Sequence, residues 1–499
     1  MTDTRQQELL NTASRLREAG HIQQAIDAYR ALLAEFPALP DSWYNLGWLL
    51  RQAGMAKDAL AAYDEALNQG VKGAEEVHLN RAAILSDALA RPAEAKAELQ
   101  KALALSPQYL PAMINLGNLH EDLGERAEAR AVYEKAHTLA PGNAMALARL
   151  AGLGTAASAD DPMIGKIRAL IASGTLLPAD LALLQFALGR LYDSCGAYSE
   201  AAAAFEAANR SARTAAAGRV APYIAENEMR RVERAAAAFS DTHDRQTGIP
   251  DPSPQPVFIL GMFRSGSTLV EQILGAHPQI TPGGELDMIP RIARGLGNDP
   301  AGVSGAPEPL LKDYAEAYLT RIRTMYPGAG MVTDKRPDNF WHVGLIKTLF
   351  PKAKIINTVR HPLDTLISVW GQYLDASLNY GYTLQDIAAH AHAERRMMSN
   401  WRRMYPEDIL TVPYEAVVMQ PEQEVRRMLA FLGLPFDAAC LEFHKAQGPV
   451  KTASVWQVRE PLHDRSIGRW KHYESYLRSL PSDPALDSLL AVETPAKPA

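Results

Sequence analysis

Cysteine is nearly absent from this sequence: Cys195 and Cys440 are the only two in 499 residues, one in each half. A disulfide-stapled secreted scaffold is thereby excluded, and two isolated thiols read as small buried residues. No window approaches the roughly eighteen consecutive apolar residues that a membrane helix requires. The amino terminus, Met-Thr-Asp-Thr-Arg-Gln-Gln-Glu, lacks an apolar leader core. No membrane span and a cytoplasmic address are expected. Positive charge is not in excess either, because the formal net charge is −6. That balance argues against nucleic-acid binding, since such domains are generally basic. Neither a CxxC pair nor two histidines four residues apart are present to suggest a bound metal. What the chain does contain is 47% apolar residues, ample for cores, and a length that points to two or three domains.

The first half reads as helix throughout and repeats itself. Gly20 and Gly54 are 34 residues apart, as are Tyr29 and Tyr63, and Leu99 and Tyr133. Asn45-Leu-Gly47 recurs as Asn115-Leu-Gly117, with Asn80-Arg-Ala82 between, and Pro37, Pro107 and Pro141 punctuate the turns. Small residues at helix crossings, an aromatic on the second helix and this period resemble the tetratricopeptide repeat. A further helical pair, Leu183 to Gly189 followed by Gly196 and Phe205, comes after an irregular stretch from Gly152 to Pro162. A stacked array presents a groove that commonly receives extended peptide. It can equally serve to enlarge or dimerise a catalytic unit, so a protein partner or a homodimer is expected.

Four prolines between Thr247 and Pro256 break all periodicity and mark a domain boundary. Beyond it, strands alternate with helices, which calls for a parallel sheet with helices on both faces. The run Val257 to Gly261 is an apolar strand leading into Met-Phe-Arg-Ser-Gly-Ser-Thr and then a helix. Such a turn offers backbone N–H groups from Ser265, Gly266, Ser267 and Thr268, the positive end of a helix and hydroxyls to a phosphate-like anion. A Walker A loop, G-x-x-x-x-G-K-[ST], would match at Gly261, Gly266 and Thr268, but Ser267 stands in the lysine place. The cation is instead Arg264. A nucleotide triphosphatase would lack the group that reaches its β- and γ-phosphates.

In this form, G-x-x-R-S-G-S-T-L, the loop resembles that of the sulfotransferases, which holds the 5′-phosphosulfate of 3′-phosphoadenosine 5′-phosphosulfate. A second unit agrees with it. Lys354 to Val359 is a β-rich run ending at Arg360, and His361-Pro362 then opens a helix, with Ser368 about two turns along. The resemblance assigns Arg360 and Ser368 to the 3′-phosphate. The stretch Gly283-Gly-Glu-Leu-Asp-Met-Ile-Pro-Arg291 resembles the tyrosylprotein sulfotransferases in particular, and there implies Glu285 as general base. It likewise implies Lys335, in Thr333-Asp-Lys-Arg-Pro, at the oxygen bridging phosphate and sulfate. Ser454, Arg465 and Lys471 fall in segments resembling the carboxyl-terminal nucleotide contacts, and Tyr414 matches a tyrosine near the adenine.

The expected architecture is an all-α tetratricopeptide-repeat solenoid over residues 1–215, a helical and Pro-rich linker over 216–253, an α/β P-loop-like sulfotransferase domain with a parallel sheet over 254–480, and a disordered tail over 481–499. The expected activity moves a sulfuryl group from 3′-phosphoadenosine 5′-phosphosulfate to a hydroxyl, on a peptide tyrosine or a glycan presented by the repeats, without a metal. Asp287 departs from the basic residue that the tyrosylprotein enzymes place there. The rival is a repeat scaffold whose second domain binds nucleotide without turnover. An inert domain would be free to lose Glu285 or Lys335, and both are present.

Overall fold

The computed structural model describes residues 2–239, 248–445, 448, 450–452 and 455–492. It divides into two compact units, Met1–Ala146 and Leu147–Ala499. Among the described residues no helix is long and apolar enough to cross a membrane.

The first unit is built of helix pairs: Thr2–Glu18 with Ile22–Glu35, Pro40–Gln52 with Ala56–Asn68, Ala74–Ala83 with Pro92–Leu105, and Leu110–Leu123 with Arg126–Leu139. The repeating glycines explain themselves physically. Gly20, Gly54 and Gly124 turn between paired helices at φ of 74, 77 and 78°, a backbone region that only glycine adopts at no steric cost. At the crossings, a Cβ on Gly47 would meet the Tyr63 ring at 2.8 Å, and one on Gly117 the Tyr133 ring at 2.2 Å. The aromatic fills space that the missing side chain leaves, so small residue and ring recur together. The third pair has Leu99 at the equivalent place, and beside it the buried carboxylate of Glu98. Burial raises the pKa of that carboxyl, but hydrogen bonds from His78, Lys101 and Arg81 outweigh it and hold it down to about 2.

The second unit centres on five parallel strands in the order β2-β3-β1-β4-β5: β1 Gln255–Gly261, β2 Ile280–Thr281, β3 Met331–Lys335, β4 Lys354–Val359 and β5 Ile409–Pro413. Helices cover both faces, so the strands are buried on both sides and apolar nearly throughout. Phe258, Leu260 and Ile355 face one core with Tyr318 and Trp401, while Val257, Ile259 and Ile356 face another with Ile273 and Met428. From β1 the chain moves out to β2 and β3, and from β4 it moves out the other way to β5. The crevice outside the carboxyl ends of β1 and β4 is therefore where the topology switches, the usual ligand position in such sheets.

The pair Pro178–Ser194 and Tyr198–Ala216 packs as the repeats do, with a Cβ on Gly189 meeting the Phe205 ring at 2.4 Å. It nevertheless groups with the sheet rather than with residues 1–146. Asn209 Nδ2 donates to the Trp370 carbonyl at 2.9 Å, and the Phe205 and Trp370 rings meet edge to face at 5.6 Å. Within the stretch expected to be a linker, the helix Ala225–Ala238 buries Val232 and Ala235 in the sheet core. Nor does the expected disorder from 481 extend through Pro484–Leu490. That segment is a helix capped by Asp483, with Leu486 and Leu489 buried. Glu493 to Ala499 lie outside the described residues.

Candidate functional site

The loop after β1 is shaped by close approach. A Cβ on Gly261 would sit 2.3 Å from the Thr358 carbonyl of β4, and one on Gly266 2.8 Å from the Tyr414 ring. Glycine is thus required at both ends of the turn. Arg264, between them, holds a left-handed φ of 69°, an uncommon conformation for a residue with a side chain. The helix Ser267–Gly275 begins at once, so the N–H groups of its first turn have no helical partners and point toward the crevice. Ser265 differs from its neighbours. Its hydroxyl turns inward, donating to the Met262 carbonyl at 2.6 Å and bonding Thr358 Oγ1 at 2.7 Å, and so ties β1 to β4.

Arg264, Gly266, Ser267, Thr268, Arg360, Ser368 and Tyr414 all line one cavity of about 290 Å³. Arg264 Nε donates to Ser368 Oγ at 2.9 Å and Arg264 Nη2 to Gln457 Oε1 at 3.1 Å. Arg360 Nη1 donates to the Arg264 carbonyl at 3.2 Å, its guanidinium lies 4.9 Å from the centre of the Tyr414 ring, and its Nη2 donates to the Ser466 carbonyl. Arg360 Nε is buried without a hydrogen-bond partner. Desolvation, then the neighbouring Arg360 charge, pull the Arg264 pKa down to about 10. Two guanidiniums held this close are stabilised by an anion between them. An N-terminal helix turn, two arginines and an orphaned donor fit a nucleotide with more than one anionic group.

Glu285 and Lys335 meet at the carboxyl end of β3, and neither is among the residues that line this cavity. Lys335 is fully buried, pairs across from Ile259 of β1, and donates from Nζ to Glu285 Oε1 at 2.6 Å. Glu271, which sequence reasoning missed, braces the arrangement. Its Oε1 accepts from the Gly284 N–H at 2.9 Å and from Thr333 Oγ1 at 2.7 Å, while the Lys335 N–H donates to the Gly284 carbonyl at 2.9 Å. Burial raises the Glu271 pKa and the Lys335 charge opposes that rise. An acid inside the apolar run Leu269-Val-Glu-Gln-Ile-Leu274 was the available signal.

Side chains alternate along a strand, so Asp334 points to the opposite face from Lys335. There Tyr318 Oη donates to Asp334 Oδ2 at 2.9 Å, and burial pushes its carboxyl up to about 8. An acid whose pKa is higher folded than unfolded binds more protons in the folded state. Its contribution to stability is therefore present at low pH and lost as pH rises from about 4 through about 8. Asp334→Asn should gain on the parent protein between pH 5 and pH 9 by on the order of a few kcal/mol. Denaturant titration at both pH values checks this, and a difference that does not change with pH would contradict it.

Among the more distal candidates, Arg465 is exposed and pairs with Glu460 at 2.6 Å, and Lys471 is exposed outside the cavity lining. From the same segment Ser466 and Arg469 line it instead. The cause is Asp364, whose carboxylate accepts from the Gly468 and Trp470 N–H groups at 2.7 and 2.9 Å and so sets which side of the turn Arg469–Tyr473 faces inward. Ser454 lies outside the described residues.

Residues 256–438 match the sulfotransferase family, and residues 10–74 and 111–143 match tetratricopeptide repeats. An uncharacterized protein of Aquifex aeolicus (strain VF5) is 35% identical over 261 residues, covering 49% of this chain and 34% of that protein. Protein-tyrosine sulfotransferase 1 of Danio rerio is 26% identical over 243 residues, covering 43% of this chain and 65% of that one. This chain thus spans less than two thirds of either relative. The sulfotransferase domain of the Synechococcus PCC 7002 olefin synthase, a solved structure, is 20% identical over 50% of this chain and 98% of its own, with a TM-score of 0.36.

Proposed function

We propose that this repeat protein with a sulfotransferase-family domain moves the sulfuryl group of 3′-phosphoadenosine 5′-phosphosulfate to a hydroxyl acceptor. The observation that carries the reading is the crevice at the ends of β1 and β4, where Arg264 and Arg360 converge on the N-terminal turn of the helix Ser267–Gly275. The phosphosulfate would lie against Gly266, Ser267 and Thr268, with Arg360 and Ser368 toward the 3′-phosphate and Tyr414 beside the base.

In transfer, the acceptor oxygen forms a bond to sulfur as the bond from sulfur to the bridging oxygen breaks. The acceptor proton passes to Glu285, which is 35% exposed at its side chain and so reachable from solvent. The charge left on the bridging oxygen is met by Lys335, which is already desolvated and so interacts strongly. Positioning and charge stabilisation carry most of such a reaction, as they do in phosphoryl transfer. The repeat pairs of residues 1–146 present the acceptor, a peptide or a glycan, in their groove.

The test is incubation of the full chain with sulfur-labelled donor and a cell extract, fractionated by size and chemistry. Label in a hydroxyl-bearing protein or glycan fraction supports the reading. Tight binding of the donor with no label transferred favours a binding-only domain.

A further inference from the structure

The cavity faced by Arg264 and Arg360 is closed on one side by residues well before the family match begins at 256. The helix Pro178–Ser194 contributes Arg190 and Asp193 to its lining. The Asp193 carboxylate accepts from Arg469 Nη2 and, at 2.5 Å, from Tyr473 Oη, and both of those residues line the same cavity. Asp193 is only 15% exposed at its side chain.

This wall is continuous with the rest of the site. The helix pair grips Trp370, the last residue of the helix that carries Ser368. The segment running from Ser466 to Tyr473 links Arg360 at one end to Asp193 at the other. The carboxylates that line the cavity are all engaged by the protein: Asp193 by Arg469 and Tyr473, Asp364 by two backbone N–H groups, and Glu460 by Arg465. Four arginines line the same space. Against them stand the three carboxylates, one of which already pairs Arg469, so the lining is positive by one formal charge and suits an anionic ligand.

We propose that the helix pair is a built part of the donor site, in which Arg190 is a further ligand of the nucleotide's anionic groups and Asp193 is a positioning residue that aims Arg469 at the same nucleotide. The inference rests on the donor reading above. It makes residues outside the sulfotransferase match, with the packing of a repeat, a requirement for donor affinity.

The experiment is calorimetric titration of 3′-phosphoadenosine 5′-phosphate into the full chain and its variants, with melting curves as a control for folding. Arg190→Ala should bind about tenfold more weakly, the worth of one charge-assisted hydrogen bond, and Arg190→Lys should recover part of that loss. Asp193→Asn should weaken binding less. Combined with Arg469→Ala, it should add nothing to the effect of Arg469→Ala alone, because the two act as one unit. A merely structural role would instead give losses that add. If the parent binds and folded Arg190→Ala binds equally well, the inference falls and the donor reading stands. If the parent does not bind this nucleotide at all, both fall. Should Arg190→Ala unfold, Arg190→Lys decides the matter: it should bind a fewfold more weakly, and parental affinity would overturn the proposal.

Discussion

Glu285→Gln is expected to bind 3′-phosphoadenosine 5′-phosphate as the parent does and to transfer sulfuryl at least about a hundredfold more slowly, the usual worth of a general base. The substitution is chosen for what it preserves. Lys335 Nζ donates to Glu285 Oε1, and the amide oxygen of glutamine can still accept that bond. Geometry around the buried lysine is therefore kept while the proton acceptor is removed. Titration of the nucleotide beside single-turnover transfer to a labelled acceptor separates the two effects. Near-parental transfer would mean another base, and Glu271 would be the next carboxylate to examine, since it lies on the other side of Gly284.

Lys335→Met should have the larger effect, a loss of transfer of roughly a thousandfold, comparable to removing one preorganised stabiliser of developing charge. Methionine retains the unbranched stem in a position that is fully buried, so no large cavity opens. Donor affinity should fall by much less than turnover, because the charge Lys335 meets grows as the bridging oxygen departs. Loss of the ammonium also leaves Glu271 without the cation that opposes its burial. Stability should then fall more steeply with rising pH in this variant than in the parent, and melting curves at pH 5 and pH 8 read that directly. Equal losses in donor affinity and transfer would move Lys335 from a transition-state role to ground-state binding.

Much of this arrangement is short-range and so can be read along the chain. The spacing of Gly261, Arg264 and Gly266 announces a strand, a tight turn and a helix, because each glycine answers a local backbone demand. Arg360 closing β4 and Ser368 two turns along its helix follow from strand and helix periods. The repeat is legible for the same reason, since each small residue faces a ring a fixed distance ahead, Gly47 with Tyr63 and Gly117 with Tyr133. Other features have no such local cause. Lys471 and Arg469 lie two residues apart in one short turn, and which of them faces the cavity depends on Asp364 from a distant helix. Glu271 looks like a misplaced acid in an apolar helix until Gly284 and Thr333 arrive to bond it.

The sequence by itself determined the helix pairs, the parallel α/β domain and the glycine turn after β1, because turn chemistry and periodicity act over a few residues, whereas Glu285 and Lys335 were singled out only by the resemblance of their segments to a known family. Tertiary structure alone decided that the helix pair Pro178–Ser194 and Tyr198–Ala216 groups with the sheet and that Asp193 meets Arg469, 276 residues away. It also decided that the stretch after Ala216 carries core residues such as Val232. These outcomes depend on which apolar faces bury each other and which buried charges find partners. That competition is settled across the whole unit, where distance along the chain carries no information about contact.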